Sequence, residues 1–270
     1  MMDAQFKTQE VAMGIVDGKA VIVTGSGAGI GRATALKFAE EGAKVAVSDV
    51  NQPGGEETVS MIKNAGGEAM FVACDVSNAE AVNALVAETV KTFGRLDCAC
   101  NNAGIEGKIA PLTDQTTEDF DKVISVNLRG VFLCLQAEIR QMLTGGGGAI
   151  VNLASVAGLI GFPGLSPYVA TKHGVNGLTK NAALEYGKAG IRVNSICPGG
   201  IDTRMLDSLA DQATSGTQSS KEMMDPLHPI GRIGKPEEVA ELIVWLCSPA
   251  ASFVTGTNIP CLLYTSPSPR

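Results

Sequence analysis

Aromatic side chains are scarce in this 270-residue chain, 4% of the total with a single tryptophan, so its core must be packed from aliphatic side chains rather than large rings. Charge is sparse as well, at 18% of residues, and the balance is acidic, with a net charge of −7 and a pI of about 5.0. No Lys/Arg cluster interrupts that balance, which excludes a nucleic-acid or anionic-membrane surface. Nowhere does an uncharged apolar stretch reach the roughly 20 residues that span a bilayer. The polar opening, residues 1–12, lacks the apolar core of a cleaved secretory signal. The seven cysteines are scattered, mostly within apolar runs where a small buried thiol packs well, which suits a reducing cytoplasm. No metal site is expected: Cys98 and Cys100 alternate in an apolar strand, and no second Cys/His pair completes a ligand set.

What the sequence has in quantity is aliphatic residues and glycine, 45% hydrophobic with 32 Gly. A chain of this length buries a sizeable core as one domain without covalent staples. Short apolar runs at 20–23, 44–48, 69–74, 96–100, 149–153 and 192–197 read as strands. Between them, helical spacing predicts helices over 30–41, 55–64 and 79–93, a long helix pair over 117–143, and a helix over 167–189. Strands alternating with helices in this way predict an α/β fold with a doubly wound parallel sheet, covered on both faces. The polar excursion 202–229 breaks the rhythm after a core strand and is expected to be a lid. Residues 1–17 are expected to form an N-terminal extension and 18–260 the folded domain. The Ser/Pro-rich ending 261–270 neither completes a strand nor starts a helix, and it is expected to be a non-native translation of a sequencing adapter.

Thr24-Gly25-Ser26-Gly27-Ala28-Gly29-Ile30-Gly31 lies between the first strand and the first helix, where glycines let the backbone approach a pyrophosphate at a helix N-terminus. Asp49 ends the second strand, 18 residues beyond Gly31, where a carboxylate accepts both ribose hydroxyls of NAD and repels a 2′-phosphate. Arg32 is the one nearby cation, and a solvated place on the first helical turn is expected for it. Tyr168 and Lys172 stand four apart, on one face of a helix. Ser155 follows the strand 149–153, at the sheet edge where open parallel sheets place ligands. Asn127 is a polar residue within an apolar helix, either a satisfied structural amide or a functional one. Met205, Met223, Met224 and Leu227 fit either an apolar pocket under the lid or ordinary core packing. A Ser/His hydrolase using His173 or His228 is disfavoured, because 164–168 lacks the second glycine of a nucleophile elbow.

Together these residues resemble the short-chain dehydrogenase/reductase family in its single-domain form. The matching motifs are the TGxxxGIG loop, Asp75-Val76, Asn101-Asn102-Ala103-Gly104, Asn127, Ser155, Tyr168-xxx-Lys172, and Pro198-Gly199 with Thr203, in family order over about 18–260. The flanking text is similar to bacterial members acting on cyclic or secondary alcohols, and also to 3-oxoacyl-carrier-protein reductases. The resemblance implies a Rossmann-type three-layer sandwich. It assigns the cofactor to Gly25, Gly27, Gly29, Ile30, Gly31 and Asp49, with Tyr168 and Lys172 also in contact with it. Asp75 and Val76 are implied at the adenine, Asn101, Asn102, Ala103 and Gly104 along the central sheet and cofactor wall, and Pro198, Gly199, Ile201 and Thr203 at the nicotinamide. Family members usually finish the last strand with an Asp-Gly-Gly element, which Cys261 onward replaces.

The expected reaction is hydride transfer between a secondary alcohol, cyclic ones included, and NAD. A free tyrosine titrates near 10, so Tyr168 needs its phenolate stabilised by the Lys172 ammonium and the positive nicotinamide. Ser155 would hold the substrate oxygen and Asn127 a water that links Lys172 to solvent. Two other readings are a 3-oxoacyl-[acyl-carrier-protein] reductase and a non-catalytic NAD(H) sensor. The first calls for NADPH preference and a basic patch, neither of which is evident, and the second usually loses part of the catalytic set. The resemblance also implies a homotetramer built on 117–143 and 167–189.

Overall fold

A computed structural model describes residues 14–261. Seven parallel strands form one sheet in the order β3-β2-β1-β4-β5-β6-β7, with β1 at Ala20–Thr24, β2 at Lys44–Asp49, β3 at Glu68–Ala73, β4 at Cys98–Asn101, β5 at Gly148–Leu153, β6 at Ile191–Cys197 and β7 at Asn258–Pro260. β1 has β2 on one side, with Val21 opposite Val45, and β4 on the other, with Val21 opposite Cys98. Strand order therefore reverses at β1 and β4, and a crevice opens beyond their C-terminal ends.

Alternation along the strands fills two cores. Val21, Val23, Cys98 and Cys100 face one side, while Ile22 and Ala99 face the other. The first face is covered by α1 (Gly29–Glu40), α2 (Gln52–Asn64) and α9 (Pro236–Cys247), through Phe38, Ile62, Ile243 and Leu246. The second is covered by α3 (Ala79–Phe93), α5 (Gly130–Gly145) and α6 (Ser166–Tyr186), through Leu85, Met142 and Val175. Each sheet face thus carries its own helical layer, and the fold is the expected three-layer sandwich.

Four differences from the sequence reading have physical causes. The long helix pair is one continuous rod: α4 (Thr117–Ile124) runs through a π turn at Ser125–Arg129 into α5, with helical backbone angles at both junctions. A π turn inserts one residue without stopping the helix, so no breaker marks it. Helix α9 is absent from the sequence reading because 242–247 is a continuous apolar run without clean helical spacing. Its start signals are nonetheless present, with Pro236 in the first turn and the Lys235 N–H donating to Glu238 Oε2 at 2.8 Å. At the N-terminus, Val16 is 1% exposed and the Ile15 N–H donates to Glu41, so the chain joins the core before residue 18. Finally, the excursion 202–229 carries α7 (Arg204–Thr214) and α8 (Ser220–Met224). Of the ending 261–270, Cys261 alone is described: its N–H donates to the Cys197 carbonyl at 3.2 Å, and the remainder lies outside the described residues.

Candidate active site

The crevice begins with a cradle made of backbone. Gly25 sits at φ +63°, and a Cβ there would lie 2.8 Å from Ala103 Cα. A Cβ at Gly31 would lie 2.1 Å from the Gly25 carbonyl oxygen, so the α1 turn and the loop after β1 touch only because Gly31 lacks a side chain. Asn102 locks the contact by donating from Nδ2 to the Thr24 and Gly25 carbonyls, each at 2.9 Å. The N–H groups of Asn102 and Ala103 in turn donate to Thr24 Oγ1 at 3.1 and 3.2 Å. At the start of α1, Ala28 offers no side-chain cap and the first turn holds no acidic residue. The positive helix end is thus left to an anion arriving from the crevice.

Asp49 stands at the rim. Its Oδ2 accepts from the Gly27 N–H and its Oδ1 from the Asn51 N–H, both at 2.8 Å, which fixes the carboxylate beside the glycine loop. Glycines that no Cβ could replace, an uncapped helix end and a held carboxylate together fit the diphosphate and ribose of a dinucleotide. Arg32 departs from its expected solvated place. It donates to the Gly27 carbonyl at 2.5 Å and to Thr58 at 3.1 Å, and pairs with Glu57, which holds it beneath the loop. The Asp75 carboxylate accepts from the Ser77 N–H and hydroxyl at a turn before α3, while Val76 is buried against Gly130. Across the crevice, the Thr203 methyl lies 3.3 Å from where a Gly29 Cβ would be, so this N-cap of α7 reaches the cradle.

Deeper in, Ser155 follows β5, and Tyr168 and Lys172 project from the first turns of α6. The Lys172 Nζ lies 5.4 Å from the Tyr168 ring centroid and donates to the Leu153 carbonyl at 2.7 Å. Burial pushes the Tyr168 phenol up to about 12, against the opposing effect of a hydrogen bond with Ser155, and the Glu106 charge adds to the rise. Burial drives the Lys172 ammonium down to about 8. Asn127, fully buried within the π turn, exchanges two 2.8 Å hydrogen bonds with the Ile105 backbone and approaches Thr171. Its amide is therefore satisfied by protein.

The Ser155, Tyr168 and Lys172 side chains lie on a cavity of about 330 Å³ that also reaches Ile30, Pro198, Gly199, Ile201 and Thr203. Its outer wall is apolar, and Met205, Met223, Met224 and Leu227 all line it. A larger hollow of about 660 Å³ lies between α1, α2 and α9, but its charged lining is Glu40, Glu237, Glu241 and Lys37, and Lys37, its one cation, is paired with Glu40, Glu41 and Glu241. Chemistry rather than size therefore picks the site. Cys98 and Cys100 are buried on one strand face, and His173 is exposed on α6. Among the described residues no group of three His, Cys, Asp or Glu is placed to hold a metal ion, and no helix is long and apolar enough to cross a membrane.

A buried network was missed in the sequence. Asn101 donates from Nδ2 to Glu138 and to Asn152, each at 3.0 Å, and Asn152 donates onward to Thr179 at 2.9 Å. Burial lifts the Glu138 carboxyl to about 7, although the Asn101 hydrogen bond pulls the other way. The signal was available: Glu138 falls on the buried stripe of Val131, Cys134, Leu135 and Met142.

Residues 25–261 match a family model described as enoyl-(acyl carrier protein) reductase. A cyclohexanol dehydrogenase of Acinetobacter sp. is 45% identical over 240 residues, covering 89% of this chain and 92% of its own. The crystal structure of a levodione reductase superposes with a TM-score of 0.88 at 42% identity, covering 90% of this chain and 96% of that one. An NAD⁺-bound xylitol dehydrogenase superposes with a TM-score of 0.85 at 36% identity, covering 92% and 98%.

Proposed function

Because the chain belongs to the short-chain dehydrogenase/reductase family, we propose that it interconverts a secondary alcohol, cyclic ones included, and its ketone with NAD(H), using Tyr168 as acid and base. The observation that carries this reading is the placement of Tyr168: it lines one apolar cavity together with Ser155 and Lys172, whose Nζ lies 5.4 Å from its ring, and that cavity reaches the glycine cradle at Ile30. A nicotinamide cofactor is a property of the family, and when bound it supplies the hydride acceptor or donor. The Gly25, Gly27, Gly29, Ile30 and Gly31 loop would hold the diphosphate. Asp49 would accept from the adenosine ribose and repel a 2′-phosphate, and Arg32, tied to Glu57, is in no position to offset it, which favours NAD over NADP.

In alcohol oxidation Tyr168 takes the hydroxyl proton while Ser155 donates to the substrate oxygen and fixes its position. With its phenol raised to about 12 by burial, Tyr168 ionises at working pH only with help from nearby positive charge; the Lys172 ammonium, itself lowered to about 8, is the cation placed near its ring to give that help when charged. Oxidation uses the phenolate and therefore accelerates as pH rises; ketone reduction uses the phenol and slows. Asn127 supports this arrangement by clamping the Ile105 backbone beside Gly104, where a Cβ would lie 3.3 Å from Asn127 Oδ1 and 3.8 Å from Lys172 Nζ. In this reading 202–229 is the lid.

The same reading makes the protein a cytoplasmic one, consistent with free thiols at all seven cysteines. It assembles as a homotetramer through the outer faces of α5 and α6, where Phe132, Leu143 and Leu184 are exposed. No nucleic acid or membrane partner enters the reading. The carrier-protein substrate of the matching family description is disfavoured by Asp49, which opposes NADPH, and by the acidic charge, which opposes an acidic carrier.

The test is NADH formation from NAD⁺ with a panel of alcohols headed by cyclohexanol, comparing the native protein with Tyr168→Phe. Turnover is expected to fall about a thousandfold in the variant while NADH fluorescence titration stays unchanged. Comparable turnover in both proteins would overturn the assignment of Tyr168. A folded protein that binds NADH and oxidises no alcohol would favour the sensor reading.

A further inference from the structure

His228 lies outside every role assigned above, yet it is only 7% exposed. Its Nε2 is 2.9 Å from the Gly200 backbone nitrogen and its Nδ1 is 2.7 Å from the Met224 carbonyl oxygen. A backbone N–H only donates and a carbonyl only accepts, so both bonds form together in one arrangement: the proton on Nδ1 and a bare Nε2. The ring is a clip with one donor end and one acceptor end. It reaches Gly200 because that residue has no side chain; a Cβ there would lie 2.9 Å from His228 Cε1.

The two ends of the clip belong to two different segments that line the cavity. Gly199 and Gly200 leave β6 along its inner wall, whereas Met224 and Leu227 line the outer wall from the excursion. Behind them the Gly200 carbonyl accepts from the Gly234 N–H at 2.9 Å, so both backbone groups of Gly200 bond to the chain around and beyond the excursion's end. A second tie, the Ile233 N–H donating to Asp225 at 2.7 Å, holds the same turn without His228. Loss of the ring therefore loosens the wall without releasing the segment.

We propose that His228 is a positioning residue that sets the distance between the 202–229 wall and the β6 exit loop, and so seats the substrate opposite Tyr168. The inference rests on the reading of this cavity as the alcohol site. It makes substrate affinity depend on a residue that has no contact with the reacting atoms. The coupling runs chiefly through the Gly200 bond, because an unpaired buried N–H is the costlier loss.

Two amides divide the clip. In His228→Gln the carboxamide reaches the Nε2 position and can still accept from Gly200. In His228→Asn it reaches the Nδ1 position, keeps the Met224 bond and leaves Gly200 unpaired. His228→Phe keeps the ring and loses both bonds. With cyclohexanol and NAD⁺ as probes, KM for cyclohexanol is expected to rise about tenfold in the Asn and Phe variants and to be rescued to within about twofold in Gln. Across all three, kcat and the NADH dissociation constant are expected to stay within about twofold of the native values.

Hydrogen exchange on the full chain without substrate gives an independent reading. The Gly200 amide and residues 203–227 are expected to exchange about tenfold faster in Asn and Phe but not in Gln. Equal KM and equal exchange in all variants would overturn the proposal, as would parallel loss of KM, kcat and NADH binding, which marks a purely structural residue. If the native protein leaves cyclohexanol unreacted, the functional reading fails at that substrate. The exchange arm still decides whether the clip exists.

Discussion

The two halves of the site are built from different materials. The half proposed for the cofactor is backbone: glycines pressed against neighbouring backbone, an uncapped helix end, and Asp49 held by two N–H groups. The half proposed for the substrate is side chain, a wall of methionines and leucines carried on 202–229. A backbone cradle tolerates little change, since a Cβ at Gly25 or Gly31 would run into backbone. An apolar wall tolerates more, since flexible thioethers refit around different shapes. The contrast explains how one frame can keep its redox chemistry while neighbours bearing 36–45% identity are named for cyclohexanol, levodione and xylitol.

The sharpest way to break the contrast is Gly31→Ala. Its Cβ would sit 2.1 Å from the Gly25 carbonyl oxygen, so the loop must move. NADH affinity should fall at least about a hundredfold by fluorescence titration, an effect of one methyl group. Next in size is Asp49→Ser, which removes the carboxylate at the ribose. The ratio of kcat/KM for NAD⁺ over NADP⁺ should drop about thirtyfold, with Arg32 still tied to Glu57.

Beneath both halves, Glu138→Gln tests the buried network. Because the folded protein raises this carboxyl to about 7, its protonated form is the one the fold favours. Its contribution is fully present below the unfolded pKa near 4.5 and is lost as pH rises through about 7. The neutral amide should therefore stabilise the protein by about 2 kcal/mol at pH 8 and by little at pH 5, read from urea midpoints. Smallest is Met224→Ala on the outer wall. KM for cyclohexanol should rise about threefold, and larger ring alcohols should gain relative to it in a substrate panel.

The same contrast governed what could be read from the sequence. Sheet strands, most helices and the cradle were legible because periodicity and glycine spacing record their geometry directly. Asn127 stood out as a polar residue in an apolar run, but its Ile105 partner did not, since that contact is made to backbone. Arg32 was misplaced because one residue type suits both a solvated helix and the tether that Gly27, Thr58 and Glu57 provide. The π turn left no mark, and α9 hid in an apolar run that lacks helical spacing. His228 was visible as a rare residue, but its Gly200 and Met224 partners are fixed only by tertiary structure.

The packing of α9 on α1 has a consequence for synthesis. The apolar face of α1, with Phe38 at its centre, shares its core with Val239, Ile243 and Leu246. Those three side chains reach α1 only after roughly 200 further residues have been made. At about 5–20 residues per second the wait is about 10–40 seconds. During that interval α1 has α2 and the first strands beside it but not α9, and the part of its surface that α9 covers is open to a chaperone on the ribosome.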